Sequence, residues 1–251
     1  MQQHSKPEND NYIFGIRAVI EAIEAGKEID KILVQRGITG DLYNQLRKVL
    51  KGTDIVYQLV PPEKIKKITN KNHQGIIAYL SEVTYYKTED LLPVIFEEGR
   101  TPLVLVLDKV TDVRNFGAIA RSAECAGVDF IVIPARGSAQ INADAIKTSA
   151  GALHRIKVCR ENNLKDTLTY MKDYGLQVIA CHEKTDKLLY SVDYKLPTAI
   201  IMGSEESGIS GEYLKLADTA VKIPMTGKIA SLNVSVATGI ILFEAIRQKT
   251  V

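Results

Sequence analysis

Cysteine is scarce and scattered in this chain. Cys125, Cys159 and Cys181 are odd in number and form no CxxC pair, which argues against a zinc ribbon and against a disulfide framework. They are expected to be three small buried side chains in a reducing compartment. Histidine is no richer: His4, His73, His154 and His182 do not cluster and no HExxH occurs, so no metal site is expected. No apolar run reaches the length that spans a bilayer, and Met1 to Asp10 is polar, without the apolar core of a secretory signal. The expected location is the cytoplasm, with no membrane partner. Charge of one sign is lacking too. The formal net charge is +2; residues 11–83 carry 11 Lys/Arg against 8 Asp/Glu, and residues 101–251 carry 18 against 16. A polyanion would have to be gripped by local patches, not by a bulk field.

The common nucleotide signatures are missing as well. There is no GxGxxG, which argues against an NAD-type oxidoreductase. Gly203 and Gly208 are spaced as in GxxxxGK[ST], yet Ile209-Ser210 follows where the lysine should stand, and Glu205 and Glu206 would repel a triphosphate. A GxSxG elbow fails because Glu205 occupies the first glycine position before Ser207.

What is present is an ordinary globular composition, 45% hydrophobic and 25% charged over 251 residues. That is enough for one large domain or two small ones. After a polar tail, 1–10, the first α/β segment is expected over 11–83. Ile13 to Ile16 reads as a short strand, and Arg17 to Ala25 as a helix with Val19, Ile20 and Ile23 at helical spacing. Lys31 to Val34 and Ile55 to Val60 read as strands around an amphipathic helix, Asp41 to Leu50. Pro61-Pro62 opens a short helix, Glu63 to Ile68, and Gly75 to Leu80 closes the unit. Residues 84–100 are acidic and read as a linker with a helical turn or two. In the second segment, 101–251, Leu103 to Leu107 is a continuous apolar run, as in a parallel strand covered on both faces. A helix over Asn115 to Cys125 follows, then strands at 130–133, 156–159, 177–181, 199–202 and 220–223, and a last helix from Ser231 to Gln248. This alternation predicts an α/β fold with a parallel sheet and helices on both faces.

Ligands of open parallel sheets bind beyond the carboxyl ends of the strands. Three such ends carry unusual residues: Asp108 to Gly117, leading into a helix with Arg121; Met202 to Gly208; and Ile223-Pro-Met225-Thr-Gly227 leading to Ser231-Leu-Asn233. Asn115 with Arg121, Gly203-x-Glu205 with Gly208, and Ile223-Pro-Met225 with Ser231-Leu-Asn233-Val-Ser235 resemble the three motifs of the SpoU/TrmH family, in its order and at similar separations. The resemblance covers about residues 101–248. Glu206 departs from it, since many relatives carry glycine there. Phe14-Gly-Ile16 and His73-Gln-Gly75 resemble ends of the small ribosomal-protein-like α/β domain that many members carry upstream to bind RNA.

The resemblance implies a SPOUT trefoil-knot domain behind that small domain, pairing as a homodimer through the knot. It implies transfer of a methyl group from S-adenosylmethionine to a ribose 2′-hydroxyl, closest to members acting on a guanosine of bacterial large-subunit (23S) ribosomal RNA. Gly203, Ile223 and Leu232 match positions whose main chain contacts the cofactor, with Ser204, Gly208 and Met225 beside them. Arg121 matches the catalytic arginine; Asn115, Glu205, Ser231 and Asn233 match the other polar positions. A guanidinium stays protonated in proteins, so Arg121 is read as binding a phosphate or stabilising alkoxide character, with the proton acceptor left open. Rival readings are a tRNA methyltransferase of the same family and a non-catalytic RNA-binding or ribosome-assembly protein.

Each residue also has a plainer reading. Arg121 could pair with Glu124 across one helical turn, Asn115 or Ser231 could cap a helix, and Glu205 and Glu206 could complement a helix dipole. Asn233 could be a solvated first-turn residue. Lys64, Lys66, Lys67 and Lys71 are either a solvated face or phosphate contacts that position RNA. His73 either stacks on a base or caps a loop. Six residues turn a helix by about 600°, so Asn115 and Arg121 share no helical face and converge only if Asn115 sits in the loop or at the cap.

Overall fold

The computed structural model describes residues 11–229 and 231–250; the expected tail, 1–10, lies outside them. By packing, the chain separates into two units, 11–83 with 141–143, and 84–140 with 144–250.

The first unit holds β1 (Tyr12–Phe14), α1 (Ile16–Glu24), β2 (Ile29–Gln35), α2 (Asp41–Lys51), β3 (Tyr57–Val60), α3 (Pro62–Ile68) and β4 (Ile76–Leu80). The sheet order is β1-β4-β2-β3, with β2 and β3 parallel and the other pairs antiparallel. Alternate residues of a strand face opposite sides. Ile32 and Val34 accordingly pack with Val19, Ile20, Leu46 and Leu50 of α1 and α2, whereas Leu33 joins Val60, Ile77 and Ile65 of α3 on the other face. β1 stops at Phe14, earlier than expected, because Gly15 turns the chain at φ +90° into α1.

The two motifs at the ends of this unit meet at one corner. Gly15 N–H donates to the Ile76 carbonyl at 3.1 Å. Gln74, itself at φ +49°, lends Oε1 to the Ile16 N–H at 3.1 Å, across 58 residues, and so satisfies an open donor at the start of α1.

The second unit runs β5 (Tyr85–Tyr86), α4 (Thr88–Glu97), β6 (Leu103–Asp108), α5 (Val113–Cys125), β7 (Phe130–Pro134), α6 (Ala143–Thr148), β8 (Lys157–Glu161), α7 (Leu164–Asp173), β9 (Gln177–Cys181), β10 (Thr198–Gly203), α8 (Gly211–Leu216), β11 (Thr219–Val221) and α9 (Val234–Thr250). The sheet order is β11-β9-β10-β6-β7-β8-β5, with every pairing parallel. β6 is buried along its whole length, as its unbroken apolar run requires. β10 lies in register beside it, ending with Gly203 opposite Asp108.

Three expectations need correction. Residues 84–100 are not a bare linker: β5 is the edge strand beside β8, and Leu91, Leu92 and Ile95 of α4 belong to the core of the second unit. The acidic residues that suggested a connector, Glu89, Asp90, Glu97 and Glu98, are exposed, as on the solvent side of an amphipathic helix. The last helix begins at Val234, not at Ser231. Of the three cysteines, Cys159 is buried and Cys181 half-buried, but Cys125 is exposed; it ends α5 off the face formed by Phe116, Ile119, Ala120 and Ala123. No helix of the described residues is long and apolar enough to cross a membrane.

Candidate active site

The carboxyl ends of β6, β9, β10 and β11 form the site. From β11, at the edge of the sheet, the chain returns to the end of β10, where Val234 meets Glu205. The return encloses a cleft of about 430 Å³. One wall is the turn from Gly203 to Gly208, a second is Cys181 to Lys184 beyond β9, and a third is the returning segment with Ile223, Met225, Ser231 and Leu232.

The turn after β10 explains its glycines. A Cβ on Gly203 would stand 2.2 Å from the Gly208 carbonyl carbon and 2.3 Å from the Ile209 nitrogen, so the chain's own fold demands glycine there. Gly208 takes φ +63°, the left-handed region that favours glycine, and its N–H donates to the Ser204 carbonyl at 2.9 Å. Beyond it, the Ser210 N–H donates to Asp108 Oδ2 at 2.6 Å. Asp108 is buried, and this bond fastens the turn to the end of β6.

Two of the expected polar residues converge on a carboxylate oxygen of a third. Glu205 Oε1 accepts from Asn115 Nδ2 at 3.2 Å, from Asn233 Nδ2, and from the Val234 N–H at 3.1 Å. Asn233 Nδ2 also donates to Asn115 Oδ1 at 3.0 Å. The other end of the Asn233 amide caps α9: its Oδ1 accepts from the Ser235 N–H at 3.0 Å and the Val236 N–H at 3.4 Å. That role falls to Asn233 and not to Ser231, which lines the cleft. Likewise Asp112, not Asn115, caps α5, accepting from the Asn115 N–H at 2.7 Å. Asn115 is the third helical residue, and the first turn of α5 still carries its side chain to Glu205.

Gly203, Ser204, Glu205, Gly208, Ile223, Met225, Ser231 and Leu232 all line the cleft. Arg121 does not join this cluster. It is exposed on α5, two-thirds of a turn round from Asn115 by the rotation expected of six residues, and its side chain makes no hydrogen bond or ion pair among the described residues, Glu124 included. Glu206 is exposed at the rim of the cleft. In the first unit, Lys64, Lys66 and Lys67 are exposed on α3, and Lys71 stands over the Phe14 ring. His73 Nδ1 accepts from the Gly75 N–H at 2.9 Å, which is the loop-capping arrangement.

Sequence reasoning passed over Asp108 as a site residue and the wall from Cys181 to Lys184. The strand-end rule singled out the segment that Asp108 opens without giving Asp108 itself a role, and the same rule applied to β9 would have found Cys181. Burial pushes the Cys181 thiol up to about 11, so it faces the cleft as a neutral group at ordinary pH.

Similarity to known proteins bears on what this arrangement does. Residues 102–243 match the SpoU rRNA Methylase family, and residues 12–86 match the family of RNA 2′-O ribose methyltransferase substrate-binding domains. YacO of Bacillus subtilis, assigned to the TrmH family of tRNA/rRNA methyltransferases, is 32% identical over 99% of this chain and 97% of its own. The fold is shared with an S-adenosylmethionine-bound rRNA methyltransferase from Sinorhizobium meliloti, at a TM-score of 0.61 and 26% identity over 94% of this chain and 86% of that one. It is also shared with a TrmH/SpoU tRNA-modifying enzyme of A. aeolicus, at a TM-score of 0.56 and 35% identity over 60% of this chain and 77% of that one. The expected fold class, a SPOUT methyltransferase domain behind a small α/β domain, and the expected cofactor, S-adenosylmethionine, both stand. The chain belongs to the SpoU/TrmH family of S-adenosylmethionine-dependent RNA 2′-O-ribose methyltransferases.

Proposed function

We propose that this protein methylates the ribose 2′-hydroxyl of a guanosine in bacterial large-subunit (23S) rRNA. In this reading Arg121, Asn115, Glu205, Ser231 and Asn233 stand at the reacting end, and Gly203, Ser204, Gly208, Ile223, Met225 and Leu232 hold the cofactor. The observation that carries it is the convergence of Asn115 and Asn233 on Glu205 at the cleft. Likeness to the S. meliloti rRNA enzyme runs over 94% of the chain, whereas likeness to the A. aeolicus tRNA enzyme covers 60%, which favours rRNA; guanosine follows from the motif resemblance. Residues 11–83 serve as the substrate-binding domain, in keeping with the match over 12–86.

The cleft suits the cofactor. Its volume falls in the range of small-molecule sites, about 300–1,000 Å³. Carboxylates of Glu183, Glu205 and Glu206 outnumber the ammonium groups of Lys184 and Lys222 in its lining, a balance that suits a sulfonium cation better than a triphosphate. Ile223, Met225 and Leu232 offer apolar surface for a base. Bound there, S-adenosylmethionine supplies an electrophilic methyl group. The guanidinium of Arg121, without a partner among the described residues, suits an RNA phosphate or the charge that develops on the attacking oxygen.

The test is transfer from labelled S-adenosylmethionine to rRNA and tRNA from cells lacking the protein, with the modified positions mapped. One 2′-O-methylguanosine in large-subunit rRNA is the expected result; label on tRNA alone would overturn the substrate and keep the chemistry. Arg121→Ala should lower transfer by about 10²-fold or more with cofactor affinity nearly unchanged. A large loss of cofactor affinity would remove Arg121 from the catalytic role.

A homodimer through the knot domain fits α9. Val236, Ile240 and Phe243 recur at helical spacing and are 50%, 37% and 52% exposed, an apolar stripe of the kind that partners cover. Phe243→Asp should shift sedimentation from dimer to monomer. A dimer unchanged by that substitution would place the interface elsewhere.

A further inference from the structure

The α3 face of the first unit's sheet is closed only in part. Ile65 and Ile68 of α3 pack over Leu33, Val60 and Ile77, while Tyr12, Phe14 and Tyr79 stand half-buried at the margin of that cluster. Register arranges them in rows. Tyr12 lies opposite Tyr79, and Tyr79 opposite Lys31; Phe14 lies opposite Ile77, and Ile77 opposite Leu33. The Tyr12 ring is 6.1 Å from Tyr79 and 6.4 Å from Phe14. Two lysines sit on this aromatic margin, Lys31 Nζ 5.1 Å from the Tyr79 ring centre and Lys71 Nζ 5.7 Å from that of Phe14. From Pro62 to Lys71 the chain adds Lys64, Lys66 and Lys67, all exposed, against one acid, Glu63.

A strip of rings bordered by cations matches the chemistry of unpaired nucleic acid, whose bases expose flat faces and whose phosphates are spaced along one edge. A duplex hides those faces in its own stack. We infer that Tyr12, Phe14 and Tyr79 form a platform on which unpaired nucleotides of the RNA substrate stack, with Lys31 and Lys71 against the phosphates. This rests on the methyltransferase reading above, and adds to it where the RNA lands and in which conformation.

The chain contains no tryptophan, so Phe14→Trp in the full-length protein creates a single reporter. Titration with an unpaired oligoribonucleotide of about twelve nucleotides should quench it saturably, and the matching duplex should not. Phe14→Leu and Tyr79→Leu keep the apolar packing; each should weaken binding of the unpaired RNA about tenfold, with melting curves and S-adenosylmethionine affinity unchanged. Leucine variants that fold and bind RNA like wild type, or a tryptophan quenched equally by duplex, would overturn the platform. If those same variants still methylate RNA, the platform alone has failed. Ring-dependent RNA binding without methyl transfer by wild type would instead uphold the platform and sink the enzymatic reading.

Discussion

Alanine at Gly203 should reduce S-adenosylmethionine affinity by about tenfold to a hundredfold and lower the melting temperature. The added carbon would lie 2.2 Å and 2.3 Å from backbone atoms of Gly208 and Ile209, distances at which no rotamer change can help. Those atoms are held in place by the Gly208-to-Ser204 and Ser210-to-Asp108 hydrogen bonds. The whole turn must therefore open, and the turn is one wall of the cleft. Overpacking of a fixed site costs about 1–3 kcal/mol, occasionally more, and each 1.4 kcal/mol is about tenfold in a binding constant. Gly211→Ala is the control: nothing lies within 4 Å of its added carbon, and both affinity and stability should stay as in wild type. Calorimetric titration and thermal melts measure the two effects. Full affinity in Gly203→Ala would show that this cleft is not where the cofactor binds.

Glutamine at Glu205 should leave the protein folded and lower methyl transfer by about 10²-fold. An amide oxygen can replace Oε1 as acceptor for Asn115, Asn233 and the Val234 N–H, so the start of α9 stays tied to the end of β10. What glutamine removes is a negative charge from the lining of the cleft proposed to hold the sulfonium cofactor. Glu205→Ala removes charge and acceptor together and leaves the N–H of Val234, a buried residue, without its partner. That should add about 1–3 kcal/mol of destabilisation, read as a lower denaturation midpoint than in Glu205→Gln. Wild-type turnover in Glu205→Gln would reduce Glu205 to a tether with no electrostatic part in the reaction.

Much of the fold was legible because burial leaves a periodic mark. Leu103 to Leu107 announced a strand covered on both sides, and Val19 and Ile20 announced the inner face of α1; both are buried as read. The error at 84–100 came from summing charge over a segment whose apolar residues, Leu91, Leu92 and Ile95, already carried helical spacing. Helix starts were harder. Several oxygen-bearing residues precede α5 and α9, and which of them reaches the free N–H groups depends on local dihedral angles that composition does not specify.

By itself the sequence determined the alternating α/β order, the three strand ends carrying unusual polar residues, and through them the family. These are local properties, written in runs of a few residues. Only the tertiary structure decided that Asn115 and Asn233, 118 residues apart, and Glu205, 90 residues from Asn115, share hydrogen bonds. It also decided that Gly203 is a glycine because of its own following turn, and that the rings of Tyr12, Phe14 and Tyr79 line up beside two lysines. The physical reason is common to all three: contacts set by strand pairing and by the return of the chain across a sheet depend on registers between distant segments, and local periodicity carries no record of them.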